Sequence, residues 1–304
     1  MRNINIIVTV DTEGDNLWEW EEGKTIDTQN AKFLEPFQTL CEKYQFYPVY
    51  LTNYEMAMSN DFAEFAKEKV AKGTCEIGMH LHAWNSPPEY RLKKLYDGNA
   101  YITEYPKQVI REKHIYLKNL IEERIGVSPV TYRAGRWATS QELFDILEEI
   151  GILVDCSITP EIYHKAPGTS VQHANDYRRA IKQPHKIGKN LIEVPMTTRT
   201  YRTIKGKKIY RKIINAIRGE HLWLRPALQS EDEMKRLIQK VLREKSDYLM
   251  FMIHSSELMP DGNPYCKTDE EVKELLNKLN NVFSYVSSFG TGILLKDYYK
   301  IALK

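Results

Sequence analysis

The sequence predicts an α/β fold, a (β/α) barrel of about seven or eight units, on three observations. Short apolar runs and amphipathic helical stretches alternate along the whole of the 304 residues, as expected of a mostly parallel sheet covered by helices. The first apolar run, Ile4 to Asp11, is rich in β-branched residues, so it suits a strand buried on both faces. Several of the runs end in a charged or imidazole side chain, and in such barrels the carboxyl ends of the strands gather the catalytic groups on one face. The expected architecture is a single domain over residues 1–304, distorted or incompletely closed, with long loop insertions near 84–105 and 158–190.

Ile4 to Asp11 reads as the first strand. It breaks off in Thr9-Val10-Asp11-Thr12-Glu13-Gly14-Asp15, where carboxylates replace apolar side chains, and Trp18 and Trp20 follow in a polar loop. A helical pattern covers about Ala31 to Tyr44, and a strand Pro48 to Thr52. Asn60 can cap a helix over Asp61 to Lys72, with Gly73 placed to stop it.

The next strand carries Cys75-Glu76-Ile77-Gly78-Met79-His80-Leu81-His82-Ala83-Trp84. In extended backbone His80 and His82 leave the same face with their Cα atoms about 6–7 Å apart. Two neutral imidazoles there can share one divalent ion, and a third ligand with an open position would make the site catalytic rather than structural. Ser86-Pro87-Pro88 ends regular structure, and Pro106 suits the first turn of the following helix.

Val130 to Arg133 reads as a strand, followed by Ala134-Gly135-Arg136-Trp137 and a helix over about Ser140 to Ile150. Ile152 to Asp155 is the fifth strand. Weak periodicity over 158–190 points to an irregular excursion, with Ile192 to Met196 returning to the sheet. A capping box at Ser230-Glu231-Asp232-Glu233 opens a helix to about Glu244. Tyr248 to Ile253 is an apolar strand ending at His254, Thr268 to Glu271 opens another capped helix, and Gly292 to Leu295 is the last strand.

Composition narrows the function classes. Forty-three basic against 41 acidic side chains leave a net charge of +2, so overall charge selects no partner. Cys41, Cys75, Cys156 and Cys266 form no Cys-x-x-Cys pair, which disfavours a zinc ribbon, a redox dithiol and a disulfide framework. No run approaches the roughly 18–20 apolar residues of a membrane span, and Met1 leads directly into a strand without a cleavable leader pattern. The expectation is a cytoplasmic protein, with peripheral contact at the inner membrane left open. Basic residues are dense from Arg199 to Arg225, which fits either a solvated helix face or a patch for phosphate or anionic lipid. No nucleic-acid-binding module accompanies them.

Asp11, His82, Arg133, Asp155 and His254 each close a predicted strand, so one cleft is expected to hold all five. Taken singly, Arg133 and Asp155 fit a buried ion pair as well as a catalytic role.

Read together, these stretches resemble the polysaccharide deacetylases of the NodB-homology type. Thr9-Val10-Asp11-Thr12-Glu13-Gly14 is similar to that family's Thr-Phe-Asp-Asp-Gly, and Glu76-Ile77-Gly78-Met79-His80 to its Glu-Ile-Gly-Asn-His. Arg133-Ala134-Gly135, Asp155-Cys156-Ser157 and Met252-Ile253-His254 resemble its third, fourth and fifth motifs, in the same order. Leu222-Trp223-Leu224-Arg225-Pro226 and His254-Ser255-Ser256-Glu257-Leu258-Met259-Pro260 look like the divergent members of bacterial O-antigen and capsule gene clusters. Two departures stand out: the family's second histidine lies four residues after the first, where this chain has Trp84, and its paired aspartates are adjacent, where Thr12 follows Asp11.

The resemblance implies a metal-dependent hydrolase that removes an N-acyl group from an amino sugar. Glu13, His80 and His82 are the expected ligands of a divalent metal, zinc first, with Asp15 competing as the carboxylate. Asp11 is the expected general base, oriented by Arg133. His254 is the expected acid, its ring held by Asp155. Trp18, Trp84, Trp137 and Arg225 are the expected substrate contacts, although loop or core packing accounts for each tryptophan equally well. The expected partner is a carbohydrate, an N-acyl amino sugar with a nucleotide- or lipid-linked form left open. Two other readings stay open: a glycoside hydrolase with paired carboxylates, which has no need of the two histidines, and a carbohydrate-binding barrel without chemistry.

Overall fold

A computed structural model describes residues 3–15, 17, 24–92, 100–164, 175–201 and 219–303. The strands among them are β1 (Ile4–Thr12), β2 (Pro48–Thr52), β3 (Glu76–Leu81), β4 (Thr131–Ala134), β5 (Val154–Asp155), β6 (Tyr163–His164), β7 (Asn175–Asp176), β8 (His185–Lys186), β9 (Ile192–Glu193), β10 (Thr198–Tyr201), β11 (Glu220–Trp223), β12 (Tyr248–His254) and β13 (Gly290–Gly292). The main sheet runs β12-β1-β2-β3-β4-β5-β9, all parallel, with β8 antiparallel at one edge and β13 beside the start of β1. Helices 35–44, 60–71, 107–125, 141–149, 231–243 and 269–287 alternate with the strands. This is the predicted distorted (β/α) barrel.

Strand parity divides the apolar side chains into two layers. Ile6, Val8 and Val10 of β1 join Leu249, Phe251 and Ile253 of β12 in the layer beneath the helices. Ile7, Val49, Leu51, Val154, Met250 and Met252 fill the barrel interior. The same parity sends Thr9 and Asp11, Gly78 and His80, and Arg133 inward. The interior therefore becomes polar toward the carboxyl ends of the strands, and Asp11 stands in register with His254 there.

The ring closes between β9 and β12 without a continuous ladder. Met252 N–H donates to the Leu224 carbonyl at 3.0 Å, and Leu224 N–H to the Thr197 carbonyl at 3.3 Å. Pro195 accounts for the short β9: it lacks an N–H for the ladder, so the strand predicted to Met196 stops at Glu193.

Three smaller expectations are corrected. Ser59, not Asn60, is the cap of helix 60–71, its hydroxyl accepting from Phe62 N–H. The excursion over 158–190 carries a short antiparallel pair, β6 with β7. The last strand is Gly290–Gly292, and Leu295 instead opens a short helix over 295–298. Of the basic run, Arg202, Lys205, Lys207, Lys208, Arg211, Lys212 and Arg218 lie outside the described residues.

Candidate metal and catalytic site

A cavity of about 340 Å³ opens at the carboxyl rim, lined by Asp11, Glu13, Leu17, His80, His82, Trp84, Ala134, Arg136, Trp137, Arg225 and His254. Among the described residues Glu13, His80 and His82 form a buried group whose ligand-type atoms all lie within 4.8 Å of one another. His80 Nε2 and His82 Nε2 are 3.1 Å apart, and Glu13 Oε2 lies 2.7 Å from His82 Nε2 and 3.8 Å from His80 Nε2. Two nitrogens bound to one tetrahedral ion at about 2.0–2.1 Å would stand roughly 3.3 Å apart, close to this spacing.

The donor set fits a divalent cation on a second count. His80 Nδ1–H donates to the Arg133 carbonyl at 2.9 Å, which leaves its Nε2 lone pair aimed into the cavity. Burial holds the His80 imidazole down to about 4, so the ring is neutral at pH 7. Burial works against ionisation of Glu13 as well, but His82, His254 and His80 bring its carboxyl below the ordinary value.

Local structure fixes these ligands. Glu13 lies one residue past β1, where its N–H donates to Ser255 Oγ and its carbonyl accepts from Asn30 Nδ2. Asp15 is turned away, accepting N–H bonds from Gln29 and Asn30, so Glu13 is the carboxylate facing the histidines. Gly135 makes room for the second imidazole: a Cβ there would stand 2.6 Å from the Leu81 carbonyl oxygen and 2.8 Å from His82 Nδ1.

Asp11 sits beside this group. Arg133, fully buried, reaches its Oδ1 at 2.5 Å while also donating to Thr9 Oγ1 and the Cys156 carbonyl. Burial alone would raise the Asp11 carboxyl, but Arg133, with His80 and His254, brings it down to about 2. His254 Nε2 approaches Glu13 Oε1 at 3.3 Å and Asp11 Oδ2 at 3.9 Å, so it faces the same cavity.

The carboxylate expected behind His254 is not the one found there. Asp155 is buried against Ser157, whose hydroxyl donates to its Oδ1 at 2.6 Å, and stands in register with Glu193. The two acids share one buried site, and burial pushes both carboxyls upward. Glu257 instead lies 3.2 Å from His254 Nδ1, carried there by the 3-10 turn over Ser255–Leu258, and accepts from Arg225 at 2.8 Å. Burial opposes its charge, yet Arg225 and His254 hold the Glu257 carboxyl down to about 2. Its sequence signals are its place in the His254–Pro260 stretch and the i,i+3 spacing from His254, neither of which assigned it this role.

Trp84 meets His82 edge-on with ring centroids 4.3 Å apart. Trp137 lies nearly parallel to His164 at 6.0 Å, and the Arg133 guanidinium carbon is 5.5 Å from its ring centroid. Arg225 lines the cavity as expected, but its guanidinium is engaged by Glu257 and His254 Nδ1. Trp18 and Trp20 lie outside the described residues. Arg136 is a cavity residue that the sequence reading did not single out.

Several solved structures share this fold. A Mycobacterium smegmatis protein provisionally classed as a polysaccharide deacetylase aligns with a TM-score of 0.56 at 12% identity, over 99% of this chain and 91% of its own. A 4-alpha-glucanotransferase from Thermococcus litoralis aligns with 0.58 at 13% identity, over 98% of this chain but 40% of its own. The PuuE allantoinase gives 0.53 at 13% identity, over 97% and 88%. No family model matches the sequence, and no curated protein matches it. At these identities the likeness establishes the fold.

Proposed function

We propose that the chain is a metal-dependent hydrolase that removes an N-acyl group, acetyl first, from an amino sugar during surface polysaccharide synthesis. The observation that carries this reading is the convergence of Glu13, His80 and His82 beside Asp11 and His254 in one rim cavity. A divalent cation held by those three residues, zinc first, would polarise an amide carbonyl and make a bound water acidic.

The chain's own residues supply the remainder. Asp11, kept ionised by Arg133, stands ready to accept the proton of the attacking water. His254, its Nδ1 toward Glu257 and its Nε2 toward the cavity, is positioned to protonate the leaving amine. Arg133 and Glu257 are the positioning residues for this base and this acid. Trp84 and Trp137 offer apolar faces to a sugar ring.

Fold likeness to a glucanotransferase keeps glycoside cleavage as the competing reading. That chemistry places two carboxyl groups on either side of a bond, separated by about 5–5.5 Å or 6.5–9.5 Å. Here Glu13 is instead drawn to two imidazoles, the arrangement a cation asks for. The reading places the reaction in the cytoplasm, peripheral to the inner membrane where the sugar is lipid-linked. No described helix is long and apolar enough to cross a membrane.

The test is acetate or formate release from N-acyl amino sugars by the purified chain, before and after chelation and metal return. Release that depends on metal and disappears in His80→Ala supports the proposal. Release indifferent to both refutes it.

A further inference from the structure

The segment that closes the barrel also delivers a charge to the turn after β12. Leu224 N–H donates to the Thr197 carbonyl at 3.3 Å, its carbonyl accepts from Met252 at 3.0 Å, and Arg225 follows directly. The Arg225 carbonyl accepts N–H bonds from Leu228 at 3.1 Å and Gln229 at 3.0 Å, and Lys278 Nζ donates to the Pro226 carbonyl at 2.7 Å. The backbone is thus held on both sides of Arg225. Its Nη2 donates to Glu257 Oε1 at 2.8 Å and stands 3.1 Å from His254 Nδ1, while the same Oε1 lies 3.2 Å from Nδ1. Glu257 Oε2 accepts the His254 N–H at 3.2 Å. Guanidinium, carboxylate and imidazole therefore form a closed triangle, with Arg225 8% exposed and Glu257 fully buried.

We propose that Arg225 is a further positioning residue for this reaction, acting through Glu257 to hold the His254 ring with Nε2 toward the leaving amine. This inference rests on the deacylase reading and adds a residue to its acid. A carboxylate removed from water needs a cation or several donors to keep its charge, and Arg225 is the cation beside Glu257. A guanidinium is planar, so it fixes the direction of the carboxylate as well as its charge. When the amide C–N bond breaks, its electron pair leaves with the nitrogen, which takes the proton from His254 Nε2. The ring is left neutral, with its Nδ1 proton toward Glu257 Oε1. A ring released from Glu257 would swing Nε2 off that nitrogen, so the fault falls on the chemical step rather than on sugar binding. The sequence reading places Arg225 on the substrate, whereas the triangle places it behind the acid.

Steady-state acyl release from N-acetylglucosamine and its 1-phosphate by the full, zinc-loaded chain tests the assignment, with bound metal measured in parallel. Arg225→Met and Glu257→Gln are each expected to lower kcat about ten- to a hundredfold, with KM within about twofold and metal content unchanged. The double variant should be no slower than Glu257→Gln alone, because both residues act on one proton. Arg225→Lys should keep part of the rate, since the charge stays and the planar fork is lost. Losses that multiply in the double variant overturn the inference, as does a loss of metal in Arg225→Met. A raised KM with kcat unchanged overturns it by making Arg225 a substrate contact. Should Arg225→Met fail to fold, the double variant, which leaves no buried carboxylate without its cation, decides alone: a kcat clearly below that of Glu257→Gln overturns the inference. Release from neither sugar by the wild-type chain overturns it together with the deacylase reading.

Discussion

At Glu13 one carboxylate serves two rim imidazoles at once, with Oε2 at 2.7 Å from His82 and Oε1 at 3.3 Å from His254. Replacing it with an amide keeps the shape and removes the charge. If the proposed metal site is right, Glu13→Gln is expected to lower the bound divalent metal toward none, measured by elemental analysis, and to cut acyl release by roughly a hundredfold or more. Glu257→Gln should act differently: metal content stays, while kcat falls about ten- to a hundredfold because the acid loses its orienting partner. Parallel metal and rate measurements separate the two. The histidine pair was legible in the sequence because strand parity is strict over two residues, and Glu13 was expected through the family resemblance, with Asp15 competing until the fold turned it away. Glu257 was not. Its position depends on how tightly the chain turns after β12, and apolar patterning carries no information on that.

Among elements, the loop after β3 shows how a buried charge secures a site wall. Lys113, from the middle of helix 107–125, donates to the carbonyls of Ser86 and Pro88, just beyond Trp84. Burial brings the Lys113 ammonium down to about 8. Lys113→Met is expected to leave one buried and one part-buried carbonyl without this donor and to cost about 1–3 kcal/mol, read from denaturant unfolding. Faster proteolytic cleavage near residues 86–92 should accompany it. Strands β2 and β12 and helix 231–243 were readable to within a residue or two, from their apolar runs and a capping box, and Pro106 marked the start of helix 107–125 but not its end. The last strand was misplaced because Ile293, Leu294 and Leu295 are its most apolar neighbours. They serve as packing under the barrel, while the ladder itself uses Gly290-Thr291-Gly292.

For the molecule as a whole, Glu76 at the barrel floor responds to pH in the opposite sense to Asp11 and Glu257 at the rim. Glu76 is buried below Gly78 and His80, with Oε2 accepting the Lys296 N–H at 3.0 Å, and burial pushes its carboxyl up to about 7. The folded chain keeps this proton where the unfolded chain, with an ordinary value of 4.5, has already released it. Stability from this group is thus full below about pH 4.5, declines through the window up to about 7, and has lost on the order of 3 kcal/mol above it. Glu55, raised to about 8 by burial, contributes in the same direction. Glu76→Gln should flatten the profile and raise the melting temperature at pH 8 more than at pH 5. The fold class and its incomplete closure were legible because they depend on the alternation of strand and helix and on length, whereas the residues that carry the closing bonds were not.

That closure has a kinetic consequence. β1 is hydrogen-bonded along both edges, but the junction between β9 and β12 is carried by isolated bonds at Thr197, Leu224 and Met252. Amide protons at Leu224 and Met252 should therefore trade for deuterium sooner than those of Ile7 and Val8, as local opening there breaks fewer contacts. The barrel would then unzip along one stave, next to His254, while its opposite wall still stands.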